Sequence, residues 1–166
     1  ENRIEDIPFI GKGEIVPHAA KKSNYERTTP LQYAWLHRVM KLASMIDAPP
    51  YSEYSLRHAL PKIKAHLLDK DDLIHIPNIL LDCGVRFVLV EALPGSKIDG
   101  VCVWIDGQPA IGMSTRLDRI DNFAFVLRHE IEHVIRGDGK EEAFSPVDEF
   151  DGDYEATDLP EEKIAN

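Results

Sequence analysis

The residue types that could do chemistry lie close together in the segment LRHEIEH, residues 127–133. His129 and His133 are four residues apart, and Glu130 directly follows the first histidine. Residues four apart are neighbours on one face of an α-helix, so both imidazole rings can reach a single metal ion. Glu130 lies about 100° round the helix from His129, where its carboxylate can reach a water on that ion without binding the ion. The pattern therefore predicts a zinc site.

A zinc ion held by neutral imidazoles lowers the pKa of a bound water to about 7, and a neighbouring carboxylate can take the released proton. The expected product is a hydroxide directed at a carbonyl carbon. With seven His and fourteen Glu in the chain, a chance H-E-x-x-H would occur with a probability of about 2%. The alternative is an amphipathic helix that merely contains histidines. It is disfavoured because His129, Glu130 and His133 are expected to face away from the apolar stripe of the helix, which comprises Ile120, Phe123, Leu127, Ile131 and Val134.

A catalytic zinc site takes three protein ligands and keeps one position open, so a third ligand is expected further along the chain. Residues 138–162 include eleven acidic residues and one Lys. Most of these are expected to be solvated surface charge. A carboxylate fixed by a helix is the better ligand, because ligand geometry must be held firmly. From the residues alone, Glu161 and Glu162 in the segment PEEKIAN are the favoured candidates.

The composition narrows the class of protein. The chain has 166 residues, of which 43% are hydrophobic, enough for one packed domain. Its formal net charge of −10, without a basic stripe, argues against direct nucleic-acid binding by this segment. Cys83 and Cys102 form no CxxC pair and are expected to be small core residues. The sequence contains no signal peptide and no membrane-spanning run, so a cytoplasmic location is expected.

The pattern of hydrophobic residues predicts an α+β fold. Residues 1–30 are expected to be a linker or extension, and 31–83 a helical region with helices at about 30–47, 52–68 and 76–82. β-Branched and aromatic residues then predict a three-stranded antiparallel sheet over 85–113. The motif helix is expected at 118–136, and an acidic loop with the third-ligand helix at 138–166. Gly84 and Gly137 fall where the third and the motif helix should end.

The segments IDGQPAIGMS, RIDNFAFVLRHEIEH and EEKIAN together resemble the ImmA/IrrE family of zinc metallopeptidases, gluzincin-like enzymes of bacteria, their phages and mobile elements. The resemblance covers residues 76–166 well and the earlier helices loosely. It implies a minimal zincin-like fold, Zn²⁺ as the cofactor, His129 and His133 as zinc ligands, and Glu130 as the catalytic base. Because EKIAN aligns with the family's E-x-x-A-N stretch, the resemblance also implies Glu162 as the third ligand.

The resemblance further implies a function in transcription regulation. Some family members cleave a helix-turn-helix repressor, in cis or in trans, and so switch on stress-response or mobile-element genes. The segment PLQYAWLHRVMKLA resembles the stretch after the DNA-binding domain in fused members, so residues 1–30 would be the tail of a removed domain. The expected function is thus an endopeptidase acting on a repressor. A regulatory or antitoxin-type module with a structural or sensory zinc is the alternative, disfavoured because such a site has no need of Glu130.

Several other side chains are weaker candidates for substrate contacts. Arginines near the motif could pair with substrate carboxylates, although solvated surface charge is the favoured interpretation for all three: Arg116, Arg119 and Arg128. The candidates for the oxyanion donor are Tyr154, His66 and His75.

Overall fold

The computed structural model describes residues 29–116 and 119–140, together with the backbone of 147–148. The described chain has the predicted α+β character, with helices first, then a sheet, then the motif helix. Its elements in chain order are α1 (Pro30–Ser44), α2 (Glu53–His66), a 3₁₀ helix (Lys70–His75), α3 (Ile76–Asp82), β1 (Arg86–Val90), β2 (Gly100–Ile105), β3 (Gln108–Ser114), α4 (Ile120–Arg136) and β4 (Val147–Asp148).

Local sequence signals account for the ends of the first and third helices. Thr29 caps α1: its hydroxyl accepts a hydrogen bond from the Gln32 backbone N–H at 3.3 Å, while the Gln32 side chain accepts from the Thr29 N–H at 2.7 Å. This reciprocal pair satisfies two backbone donors that the helix itself cannot. The helix α3 has the predicted bounds and is followed by Gly84 with a φ of +79°. The predicted helices of the first half are therefore confirmed.

The sheet is mixed, so the prediction of a three-stranded antiparallel sheet is wrong. Its strand order is β1-β3-β2-β4, with β1 parallel to β3 and β2 antiparallel to both β3 and β4. The strands β2 and β3 form a hairpin through Asp106 and Gly107, whose φ angles of +52° and +76° suit a tight two-residue turn.

The segment between β1 and β2 explains the difference. Residues 91–99 contain a turn, closed by a hydrogen bond from the Ser96 N–H to the Leu93 carbonyl oxygen at 2.9 Å, within a longer connection in which Ser96, Ile98 and Asp99 are buried. The Gln32 side chain of α1 donates to the Ser96 carbonyl oxygen at 3.1 Å. The connection thus places β1 beyond β3 instead of beside β2.

The core has two parts, one on each face of the sheet. Alternate residues of a strand point to opposite faces. On one face, Val101 and Val103 of β2 pack with Trp35 and Val39 of α1. On the other face, Cys102 packs in the cluster that includes residues of α2, α3 and α4. The sheet therefore lies between α1 and a layer containing α4.

Both cysteines are buried, which confirms the prediction that they are core residues. Cys83 donates its thiol hydrogen to the Ile79 carbonyl oxygen at 3.2 Å. Burial raises the pKa of the Cys83 thiol, and nearby Asp82 adds to the effect. Within the described parts of the chain, no helix has the length and apolar character needed to cross a membrane.

Candidate metal centre

The helix α4 carries the whole H-E-x-x-H segment and ends at Arg136, three residues after His133. Gly137 has a left-handed φ of +71°. The backbone N–H of Gly137 donates to the Val134 carbonyl oxygen at 3.1 Å, and the backbone N–H of Asp138 donates to the His133 carbonyl oxygen at 3.0 Å. These two bonds form the Schellman arrangement that a glycine after a helix allows. Asp138 is thereby fixed one turn beyond His133.

The predicted apolar stripe of α4 is partly confirmed. Leu127, Ile131 and Val134 are buried, and Phe123 is partly buried against the same core. Ile120, at the first turn, is instead 40% exposed. The buried face orients the helix so that its histidine pair lies at the edge of the core.

The two histidines converge through the same ring atom. His129 Nε2 lies 3.0 Å from His133 Nε2, and the ring planes are nearly perpendicular at 87°. Two nitrogens bound to one tetrahedral zinc at about 2.0–2.1 Å are separated by about 3.3 Å. A small opening of the pair would meet that geometry. Both rings are half-buried, so the pair fits two of the ligands of a zinc site.

Glu130 was expected to face away from the core, and this prediction is wrong, because the side chain is fully buried. Its carboxylate lies against the start of β2. A Cβ atom added to Gly100 would be 2.6 Å from Glu130 Oε1 and 2.7 Å from Val126 Cγ1. The lack of a side chain at Gly100 is therefore what makes room for the Glu130 carboxylate between α4 and the sheet.

Gly100→Ala is expected to displace Glu130 and to lower the free energy of unfolding by about 1–3 kcal/mol, the usual cost of overpacking a core. Urea denaturation measures the loss. The NMR resonances of α4 from Val126 to His133 should also shift.

Gly112→Ala is the matched control for this variant. A Cβ there would meet Val39 Cγ1 at 2.5 Å and Cγ2 at 2.7 Å, on the opposite face of the sheet. It should cost similar stability but shift the resonances of α1 instead. Unchanged stability and unchanged α4 resonances in Gly100→Ala would show that Gly100 and Glu130 are not in contact.

Asp138 is a site residue that the sequence interpretation missed. His133 Nδ1 lies at a hydrogen-bonding distance of 2.7 Å from Asp138 Oδ2. The Asp138 carbonyl oxygen accepts from Trp104 Nε1 of β2 at 2.9 Å. The sequence signal was present, since a glycine directly after the predicted helix indicates a turn that brings the next residue back to the last turn of the helix.

Tyr51 contacts both β2 and the C-terminal end of α4. Its ring meets the Trp104 ring edge to face, with centroids 5.6 Å apart, and its hydroxyl donates to the Val134 carbonyl oxygen at 3.5 Å. Burial, with a smaller contribution from Glu53, raises the pKa of Tyr51 to about 12. The phenol therefore stays protonated at neutral pH and acts as a packing and hydrogen-bonding group.

The predicted third zinc ligand lies in the acidic C-terminal segment of the chain. Glu162, like Glu161 and Tyr154, lies outside the described residues. Within 29–116 and 119–140, no group of three His, Cys, Asp or Glu side chains is arranged to hold a metal ion. The described centre thus consists of two histidine nitrogens, the Glu130 carboxylate and Asp138.

Among the described residues, Arg116 and Arg119 each form an ion pair. Arg116 binds the buried carboxylate of Asp99 with two hydrogen bonds, at 2.8 and 2.9 Å. Arg119 pairs with Asp121 at the exposed start of α4, which raises the pKa of the guanidinium and lowers that of the carboxyl. Arg128 is exposed on α4.

His66 and His75 face each other at a different place in the fold. Their ring centroids are 5.4 Å apart, at the end of α2 and of the 3₁₀ helix. His66 Nδ1 is also 3.5 Å from Asp72 Oδ2. The rings of His66 and His75 thus pack against each other.

Comparisons of the chain with protein-family models, with curated protein sequences and with solved structures find no match. The resemblance to the ImmA/IrrE family therefore stays a prediction that rests on the motif residues.

Proposed function

We propose that the chain is a zinc-dependent endopeptidase of the ImmA/IrrE type that hydrolyses a peptide bond in a regulatory protein. One observation supports this most strongly. The Nε2 atoms of His129 and His133 converge to 3.0 Å on one side of a helix that also holds the carboxylate of Glu130. The converging ring nitrogens suit two ligands of one zinc ion, and Glu130 directly follows the first of them in the sequence.

In this proposal, His129 and His133 hold the metal through Nε2, and Glu162 supplies the third ligand. A bound zinc ion would polarise the substrate carbonyl and make a water molecule more acidic. The Glu130 carboxylate accepts a proton from the attacking water and returns it to the nitrogen of the leaving amine.

The edge of β2 offers a place for the substrate backbone. This strand begins at Gly100, beside Glu130, and β4 pairs only with its first two residues. Among the described residues, no strand pairs with Val103, Trp104 or Ile105 on that side. An extended peptide can add to such an edge by main-chain hydrogen bonds. We propose that the peptide belongs to a helix-turn-helix repressor, in cis or in trans.

A second candidate function is a regulatory module in which zinc is structural or sensory. The full burial of Glu130 favours it, because a general base must reach a water molecule at the reacting centre. In this case the buried carboxylate serves the packing of α4 against β2.

The experiment combines zinc analysis with a cleavage assay on the purified chain. The probes are purified helix-turn-helix repressors, chosen from genes found adjacent to the gene of this chain, and products are identified by mass spectrometry. We expect one zinc per chain, and cleavage that stops on chelation and returns when zinc is restored.

The other outcomes separate the candidates. Zinc binding without cleavage would overturn the endopeptidase and support the structural or sensory module. If the protein contains no zinc and chelation leaves its unfolding temperature unchanged, both proposals fail, because a ligand bound only by the folded state must stabilise it.

A further inference from the structure

The carboxylate of Asp138 is placed so as to decide which nitrogen of His133 carries the proton. Its Oδ2 lies 2.7 Å from His133 Nδ1. An ionised carboxylate can only accept hydrogen bonds, so the ring must donate from Nδ1. In the neutral ring the lone pair is then on Nε2, the atom that lies 3.0 Å from His129 Nε2.

Two backbone hydrogen bonds fix Asp138 independently of its carboxylate. Its backbone N–H donates to the His133 carbonyl oxygen at 3.0 Å, as part of the turn that follows Gly137. Its carbonyl oxygen accepts from Trp104 Nε1 at 2.9 Å. The Lys140 ammonium lies 5.2 Å from the centre of the Trp104 ring, within the range of a cation–π interaction. The backbone of Asp138 is thus held by both α4 and β2.

We propose that Asp138 is a positioning residue of the metal centre: it holds the proton on Nδ1 of His133 and orients the ring so that Nε2 points to the metal. This inference rests on the proposed function, which supplies the metal. Metal-binding histidines commonly donate their second ring nitrogen to a carboxylate, which fixes both tautomer and orientation. The role requires no proton exchange by Asp138.

The first test uses the metal-free protein and therefore does not depend on zinc binding. Imidazole ¹⁵N chemical shifts, measured above the ordinary imidazole pKa of about 6.5, distinguish protonated nitrogens from those with a lone pair. We expect His133 to be protonated on Nδ1 in the wild type. In Asp138→Ala, the proton should move largely to Nε2.

The second test is zinc affinity, measured by competition with a chelator of known affinity. Loss of a carboxylate that supports a ligand typically weakens metal binding by about 10–100-fold. We expect a loss in this range for Asp138→Ala and a smaller one for Asp138→Asn, because the Asn oxygen can still accept a hydrogen bond from Nδ1 but carries no charge.

Glu132→Gln is the charge-matched control for these variants. Glu132 is exposed on α4 and pairs with Arg136 at 3.2 Å, so the variant removes one negative charge near the centre without touching the histidines. Its zinc affinity and its His133 tautomer should equal those of the wild type. Asp138→Ala retains the backbone bond that ends α4, and Asp138→Asn also keeps the side-chain shape if the alanine variant does not fold.

The outcomes distinguish this inference from the proposed function. If the wild type binds no zinc, the proposed function fails, and the tautomer of metal-free His133 still decides the role of Asp138. If the wild type binds zinc, but Asp138→Ala and Asp138→Asn bind it equally well with an unchanged His133 tautomer, the positioning role is overturned. An equal loss of affinity in Glu132→Gln would also overturn it, because the effect would then be one of general charge.

Discussion

Glu130→Gln is expected to lower the rate of peptide hydrolysis by about 10²–10⁴-fold, the usual contribution of a positioned general base. Gln keeps the length and shape of Glu130, but its amide cannot accept the proton of an attacking water. Zinc binding should persist, because the proposed ligands His129, His133 and Glu162 are unchanged. The rate is measured on the repressor substrate, and the zinc content by elemental analysis of the same samples.

Folding of this variant has to be measured as well, because Glu130 is fully buried. A neutral amide is less costly to bury than a carboxylate, so we expect the free energy of unfolding not to fall. Glu132→Gln makes the same chemical change two residues further along the helix, at an exposed position, and should hydrolyse the substrate at the wild-type rate. Equal rates for the wild type and Glu130→Gln would show that Glu130 is not the base.

The sequence predicted those parts of the fold that depend on neighbouring residues. The end of α3 before Gly84 and the end of α4 before Gly137 each arise from backbone preferences within a few positions. The pairing of His129 with His133 belongs to the same class, since it follows from a four-residue spacing within one helix.

Features that depend on distant contacts were not predicted. The strand β1 pairs in parallel with β3, so that Arg86 lies opposite Ala110. The sequence of either strand alone does not indicate which strand will be its neighbour. The burial of Glu130 depends on Gly100, thirty positions earlier and in another element. A helical projection shows only that Glu130 lies off the apolar stripe, and cannot show that the sheet covers this side as well. Glu162 remains a prediction from the resemblance.

Gly84→Ala is expected to have the largest effect on stability, a loss of about 2–5 kcal/mol in the free energy of unfolding. Gly84 has a φ of +79°, a conformation that costs an L-residue about 1–2 kcal/mol. An added Cβ would also lie 2.5 Å from Tyr51 Cα and 2.7 Å from the Pro49 carbonyl oxygen. Because these are backbone atoms, the structure must shift to accommodate the Cβ, and such overpacking typically costs a further amount of about 1–3 kcal/mol.

Gly107→Ala separates the two causes, since Gly107 has nearly the same φ, +76°, but no atom lies within 4 Å of its added Cβ. It should lose only the conformational part, about 1–2 kcal/mol. Urea denaturation of both variants therefore measures the steric part as a difference. The packing at Gly84 matters for the site, because Gly84 lies against the backbone of Tyr51. The Tyr51 ring contacts Trp104, and its hydroxyl donates to the Val134 carbonyl oxygen near the end of α4. Equal losses in the two variants would show that the backbone around Tyr51 does not pack against Gly84, and the link from α3 to the end of the motif helix would then be wrong.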